Sequence, residues 1–195
     1  MSPSKLAFEP TVREAFDFLV SKFRFTCETS NPTSVTYLSS ATEVEITLDL
    51  RSYEVDVELK RRGTTRSFPL HRVIELSSPE EARRWRLVQT SNSARMKEFI
   101  PKLAGLLGQY GERALRGDPN TFQKLKKLEE SDAMRTTRDF QISHARRLAE
   151  HEWQCRNYSK LVSLLSPIQE ELTSSEFARF VYAKRRLAER NRGED

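Results

Sequence analysis

Carboxylates crowd one short stretch of this chain. From Thr42 to Lys60 the sequence reads TEVEITLDLRSYEVDVELK, with Glu43, Glu45, Asp49, Glu54, Asp56 and Glu58 at alternate positions of two runs and Lys60 closing the second. Carboxylates held in pairs can bind a divalent cation, trade protons with a substrate, or present a negative face to a basic partner. Which of these is open depends on which carboxylates the backbone sets side by side.

Two other groups have chemistry to offer. In His151-Glu152-Trp153-Gln154-Cys155, helical spacing puts His151 and Cys155 on one face with His144 and Leu148. His151 and Cys155 are spaced to share a metal ion, but His144 is two turns away and a third ligand is not apparent, so we read a buried stripe of a packed helix, with no metal and no cofactor. Basic residues recur at Arg61-Arg62, Arg83-Arg84-Arg86, Lys124-Lys126-Lys127, Arg146-Arg147 and Lys184-Arg185-Arg186. Binding of nucleic acid requires such cations to be gathered on one surface, because phosphate neutralisation drives it. Interleaved with Glu, they read first as solvated helix faces. If folding collects Arg83, Arg84, Lys124, Lys127, Arg146, Arg147, Lys184 and Arg185, they form a nucleic-acid surface instead.

The elements that must position these groups follow from hydrophobic period. Val44, Ile46, Leu48 and Leu50 alternate with polar residues, and so do Tyr53, Val55, Val57 and Leu59, the signal for two half-buried strands. A tight connection at Arg51-Ser52 pairs Leu50 with Tyr53, Leu48 with Val55, Ile46 with Val57 and Val44 with Leu59. That register collects the apolar side chains on one face and the acids on the other, with Asp49 opposite Glu54 and Glu45 opposite Glu58; a one-residue slip would bury the acids. Like charges facing each other across a ladder oppose pairing by roughly 0.2–1 kcal/mol each, so an acidic face calls for a positive partner, from this chain or another.

Upstream, Thr11 to Phe25 carries Val12, Ala15, Phe16, Leu19, Val20 and Phe23 at helical spacing, with Thr11 and Glu14 as a capping box. This helix is expected to pack on the apolar side of the sheet. Asn31-Pro32 marks a turn, Val35 and Tyr37 alternate as another strand, and Thr65 to Phe68 suits a short further one, followed by a short helix over 69–76. From Ser78 onward the pattern is helical: 79 to about 88, then 93–116 with a kink expected near Phe99 because of Pro101. Residues 121–157 follow as one or two helices joined near 131–137, then 158–172 and 174–190, with the last five residues fraying. The expected class is α+β: an N-terminal helix on a three- to four-stranded antiparallel sheet over residues 1–77, then an all-helical region over 78–195 with a helical hairpin near 139–171, packed together as one body.

Bulk composition narrows the classes. With 195 residues, 37% hydrophobic and 31% charged, the chain has material for a proper core. No apolar run approaches the ~18 residues of a membrane span, and the opening MSPSKLAFEP has no apolar region of the kind a secretory signal needs. Cys27 and Cys155 match no metal or redox spacing, which points to a reduced cytoplasmic protein. The net charge of +5 hides an asymmetry: residues 1–60 hold 6 Lys/Arg against 10 Asp/Glu, and the rest 27 against 18. Such asymmetry suits a nucleic-acid surface or the docking of one half on the other. No phosphate-binding glycine loop or nucleophile elbow is present.

Three resemblances bear on function. Glu58-Leu59-Lys60 with Asp49 upstream, between helices, resembles the E-x-K half of the PD-(D/E)xK nucleases and implies metal-dependent cleavage. The register argues against it: Glu58 faces Glu45, and Asp49 lies four residues along, about 13 Å at the usual strand rise. The segment 145–168, with Ala145, Ala149, Asn157-Tyr158, Leu161 and Leu165, resembles part of a single tetratricopeptide unit and implies a helical hairpin for docking. Finally, Phe16 to Phe25, Arg51 to Val57 and Leu103 to Asp118 resemble a loose group of small bacterial α+β proteins of the toxin-immunity and defence-associated kind. That resemblance implies a non-enzymatic interaction role in which the acidic hairpin face engages another protein with a basic surface.

Overall fold

The computed structural model describes residues 7–86 and 89–192, without the side chain of Asn191. The expectations for the first six residues and for fraying of the last three lie outside the described residues, and the helix expected to run to about Val88 stops at Arg84, where Trp85 turns to extended backbone. Two compact units emerge, residues 1–129 and 130–195.

The first unit is built on a five-stranded antiparallel meander, β1 (Thr26–Asn31), β2 (Ser34–Leu38), β3 (Thr42–Leu48), β4 (Val55–Arg61) and β5 (Ser67–Pro69), in sequential spatial order. This is one strand more than expected. The extra strand, β1, reads TCETSN and is exposed along its whole length, so it lacks the alternation that half-burial imposes. Its turn into β2 is an Asx-turn: Asn31 Oδ1 accepts from the backbone N–H of Thr33 at 3.0 Å and of Ser34 at 2.9 Å.

The central register matches the period-two reading. Val44 faces Leu59, Glu45 faces Glu58, Ile46 faces Val57 and Leu48 faces Val55, and all six apolar members are buried. The hairpin turn differs. It is a four-residue connection, Leu50 to Tyr53, closed by Asp49 N–H to Glu54 O at 3.0 Å and Tyr53 N–H to Asp49 O at 2.7 Å. Tyr53 takes a left-handed φ of 57°, and Leu50 is 41% exposed rather than paired with Tyr53. A two-residue turn would require left-handed geometry at Arg51 or Ser52, and the longer loop needs it only once.

Helices cover the apolar sheet face. The N-terminal one starts earlier than expected and is broken: α1 (Phe8–Ala15) and α2 (Asp17–Ser21) meet at Phe16. Thr11 does not cap. Its hydroxyl donates back to Ala7 O at 2.7 Å, inside the first turn. The break lets Phe8, Val12, Phe16 and Leu19 all reach the core. Then come α3 (Leu70–Ser77) and α4 (Pro79–Arg84), the latter with Pro79 at its first position.

Next, α5 (Ser93–Tyr110) is capped by Asn92, whose side chain accepts from the N–H groups of Ala94 and Arg95. The kink expected at Pro101 does not interrupt it. Pro101 and Lys97, the residue whose carbonyl loses its partner, are both exposed, and buried Met96, Ile100, Leu103 and Leu107 hold the helix on either side. The helix ends at Gly111, ahead of α6 (Glu112–Leu115).

Gly117 (φ 74°) then turns the chain into α7 (Pro119–Gln154), whose 36 residues run without the join expected near 131–137. The change of pattern at residue 78 separates strands from helices, whereas the compact units divide at Glu129, because Met96 to Leu125 share the core of the sheet.

The second unit contains the end of α7, α8 (Tyr158–Leu165), a 3-10 segment (Ser166–Glu171) and α9 (Ser174–Arg192). Its core is Ala149, Leu161, Leu165, Ile168, Phe180 and Ala183. Beside it Trp153, Tyr158 and Tyr182 form an aromatic trio, with ring centroids 5.7 to 6.0 Å apart. No helix among the described residues is long and apolar enough to cross a membrane.

Candidate functional site

Alternation along β3 and β4 sends the acids to the face away from the core, and the ladder decides their company. Glu43 faces Lys60, and the two form an ion pair at 3.0 Å. Glu45 faces Glu58. Each is held by a hydroxyl: Ser34 donates to Glu45 at 3.3 Å and Ser67 to Glu58 at 2.6 Å. With Thr65, these four charged residues and Ser67 line a depression of about 140 Å³.

Toward the turn, Asp56 stands opposite Thr47. Its carboxyl is pushed above the ordinary aspartate value, by partial desolvation first and then by the charges of Glu54 and Glu58, with His71 acting in the opposite sense. His71 itself is pushed down, mainly by desolvation and then by Arg72.

Asp49 and Glu54 sit at the turn itself. Asp49 accepts from the Arg51 N–H at 2.8 Å and the Ser52 hydroxyl at 2.9 Å, which hold its carboxyl below the usual range. Glu54 accepts from Ser52 at 3.2 Å and from the Gln89 amide at 2.7 Å.

The six acids expected on one face are therefore together, but in three different situations: Glu43 is paired with a cation, Asp49 and Glu54 stabilise the turn, and Glu45, Asp56 and Glu58 bear like charges on one another. The Asp–Glu–Lys set of the nuclease resemblance is not assembled. Asp49 belongs to the turn, Lys60 is engaged by Glu43, and the carboxylate beside Glu58 is Glu45. Among the described residues no group of three His, Cys, Asp or Glu stands close enough to hold a metal ion.

The His144, Leu148, His151 and Cys155 stripe is corrected. All four are exposed, because α7 turns Ala149, Glu152 and Trp153 inward instead. Cys155 Sγ lies 3.9 Å from His151 Nε2.

The basic residues expected to make a nucleic-acid surface are split between the units. Arg83 and Arg84 lie on α4, Arg84 at 3.8 Å from Glu81. Arg146 is taken up by Glu176 at 3.0 Å and by the Glu171 carbonyl at 2.6 Å, and Arg185 by Glu189 at 3.2 Å. Lys184 lies 4.4 Å over the Phe180 ring, and Arg147 is exposed beside Arg146. Only Lys124 and Lys127 join a larger cationic cluster, lining a cleft with Arg113. Arg113 is not among the residues named from sequence, because it reaches Lys124 and Lys127 only through the bend at Gly117. Its one local trace is Leu115-Arg116-Gly117-Asp118, where a glycine ahead of a helix start marks the corner. No protein family, no curated protein and no solved structure matches the chain.

Proposed function

We propose that this chain is a non-enzymatic protein-binding module whose acidic β3–β4 face engages a basic surface on a partner protein, as an immunity protein or a subunit of a defence complex does. The observation that supports it is the direct opposition of Glu45 and Glu58, with Asp56 beside them on the same face. A chain that keeps like charges in register gives up stability, and a cationic partner returns it on binding. Complementary charge of this kind sets encounter rate and partner choice more than raw affinity. The resemblance over Phe16–Phe25, Arg51–Val57 and Leu103–Asp118 favours the immunity or defence role. Two free, exposed thiols, Cys27 and Cys155, suit a reducing cytoplasm.

The test is Glu45→Lys with Glu54→Lys and Glu58→Lys, folded by circular dichroism, compared with the unaltered chain in capture from host lysate. A protein retained by the unaltered chain and lost by the variant is the expected result. The same retained proteins at the same yield in both would overturn the proposal.

A further inference from the structure

The first unit also carries clefts lined by cations, one of which meets the acidic depression at Thr65. The first 20 residues after α5 explain how they arise. Gly111 and Gly117 bend the chain twice, and Thr42 donates to the Ala114 carbonyl at 2.8 Å, tying this corner to the start of β3. A Cβ built on Gly117 would stand 2.3 Å from the Ala41 Cβ, so corner and β2–β3 turn are in direct contact. The β4–β5 turn joins them through Arg62 N–H to Ala41 O at 2.8 Å. Three segments thus converge, of which the corner brings Arg113 and Arg116 and the β4–β5 turn Arg61 and Arg62.

The middle cleft, of about 310 Å³, is lined by Arg113, Lys124 and Lys127 with Asn120 and Gln123. On one side of the corner a cleft of about 460 Å³ holds Lys22 and Arg24. On the other, one of about 370 Å³ holds Arg61 and shares Gln123 with the middle cleft. Asp118 is the one carboxylate lining these clefts among the described residues. It is committed to the start of α7, accepting from the Asn120 N–H at 3.2 Å and the Thr121 hydroxyl at 2.7 Å. Arg24, Arg61, Arg113, Lys124 and Lys127 form no ion pair among the described residues.

We infer that this corner binds the phosphate backbone of a nucleic acid. Three observations favour that occupant. The cations are spread over successive clefts, which suits a ligand carrying charge at regular intervals and not a single anion. The cations of the middle cleft are accompanied by Asn120, Thr121 and Gln123, and the other two clefts add aromatic rings, Phe68 and Phe122 in one and Phe23 in the other, on which bases can stack. And Asp118 already occupies the N-terminus of α7, so the positive charge comes from long side chains that can follow a backbone. Contacts of this kind position a nucleic acid without reading its sequence. The surface shares Lys124 and Lys127 with the dispersed set described above, and the cleft that holds them shares no residue with the acidic depression, so either proposal can fail alone.

The experiment is fluorescence anisotropy of a labelled 20-base-pair DNA duplex with the full chain at 50 to 200 mM salt. The observed affinity should fall by ~100-fold across that range for about four phosphate contacts. Replacing Arg113, Lys124 and Lys127 by Gln should weaken binding at least tenfold at 100 mM salt and reduce the slope of log affinity against log salt by about 2.7. The single variants Lys124→Gln and Lys127→Gln, both at exposed helix positions, guard against misfolding and should each reduce the slope by about 0.9. Glu45→Lys should leave the slope unchanged. Absence of DNA binding at 50 mM salt, an unaltered slope in the triple variant, or equal affinity for poly-glutamate and DNA would each overturn the inference.

Discussion

Glu45 and Glu58 oppose each other directly across β3 and β4, and neither forms an ion pair among the described residues. Each carboxylate instead takes a serine hydroxyl from the next strand outward, Ser34 on β2 and Ser67 on β5. The hydroxyls orient the carboxylates without neutralising them. Repulsion thus persists in the folded chain, offset by the buried pairs Val44–Leu59 and Ile46–Val57 on the other side of the same ladder.

Glu58→Gln should therefore stabilise the first unit by about 0.2–1 kcal/mol at pH 7. The glutamine oxygen can still accept from Ser67, so what is lost is mainly charge. Urea denaturation gives the readout, as a higher midpoint at unchanged slope. The gain should shrink as salt screens the repulsion in the unaltered chain. A midpoint that stays put or falls would mean that the two carboxylates do not oppose each other in solution.

Asp56 gives a dependence on pH. Its folded-state value lies above the ordinary one, raised by desolvation and by Glu54 and Glu58, so the folded chain holds that proton more tightly than the unfolded chain. The contribution to stability is fully present below the ordinary aspartate value, 3.8, and is lost as pH rises through the raised value. In Asp56→Asn the loss is absent. The variant should gain stability relative to the unaltered chain as pH rises through and above that window, and converge with it at lower pH. Parallel urea midpoints across the acid range would refute this.

The hairpin was legible because half-burial writes a period of two into the chain, and a one-residue slip would have put Glu45 and Glu58 in the core. The same rule explains what was not legible. In β1, from Thr26 to Asn31, neither face is buried and no period arises. The stripe through His144 and Cys155 has the spacing of a buried face, yet Ala149 and Trp153 took the inside, because small and aromatic residues there fit against Leu161 and Phe180. Periodicity names a face without saying which way it turns. The cationic corner depends on Gly117 meeting Ala41, a contact between residues 76 positions apart that no local pattern carries.

That contact makes Gly117 sensitive twice over. At φ 74° an L side chain costs about 1–2 kcal/mol, and its Cβ would collide with Ala41 as well. Gly117→Ala should destabilise the first unit by more than about 2 kcal/mol. Ala41→Gly removes the collision but not the backbone cost. In a double-mutant cycle the second substitution should recover part of the loss, with a coupling of about 0.5–3 kcal/mol. Additive effects would place the two residues out of contact.

In the second unit the sign of the pH dependence reverses. Glu152 is 7% exposed; it pairs with Lys160 at 2.8 Å and accepts from the Asn157 amide at 2.8 Å. The Lys160 hydrogen bond, followed by that of Asn157, holds its carboxyl below the usual value of 4.5. A lowered folded value means that the stabilisation is present above 4.5 and is lost as pH falls through the lowered one. Trp153 belongs to the aromatic trio beside this pair, and the chain has one other tryptophan, Trp85. In a Trp85→Phe background, fluorescence therefore follows the helical unit alone. Glu152→Gln should melt at a lower temperature than its parent at pH 7, and the difference should close as pH falls from 4.5 through the lowered value. Lys160→Met should lower the melting temperature further, since it leaves the Glu152 charge sheltered without its cation. If Glu152→Gln instead melts at the same temperature as its parent throughout, the pair contributes nothing, and packing of Trp153, Leu161 and Phe180 carries the unit unaided.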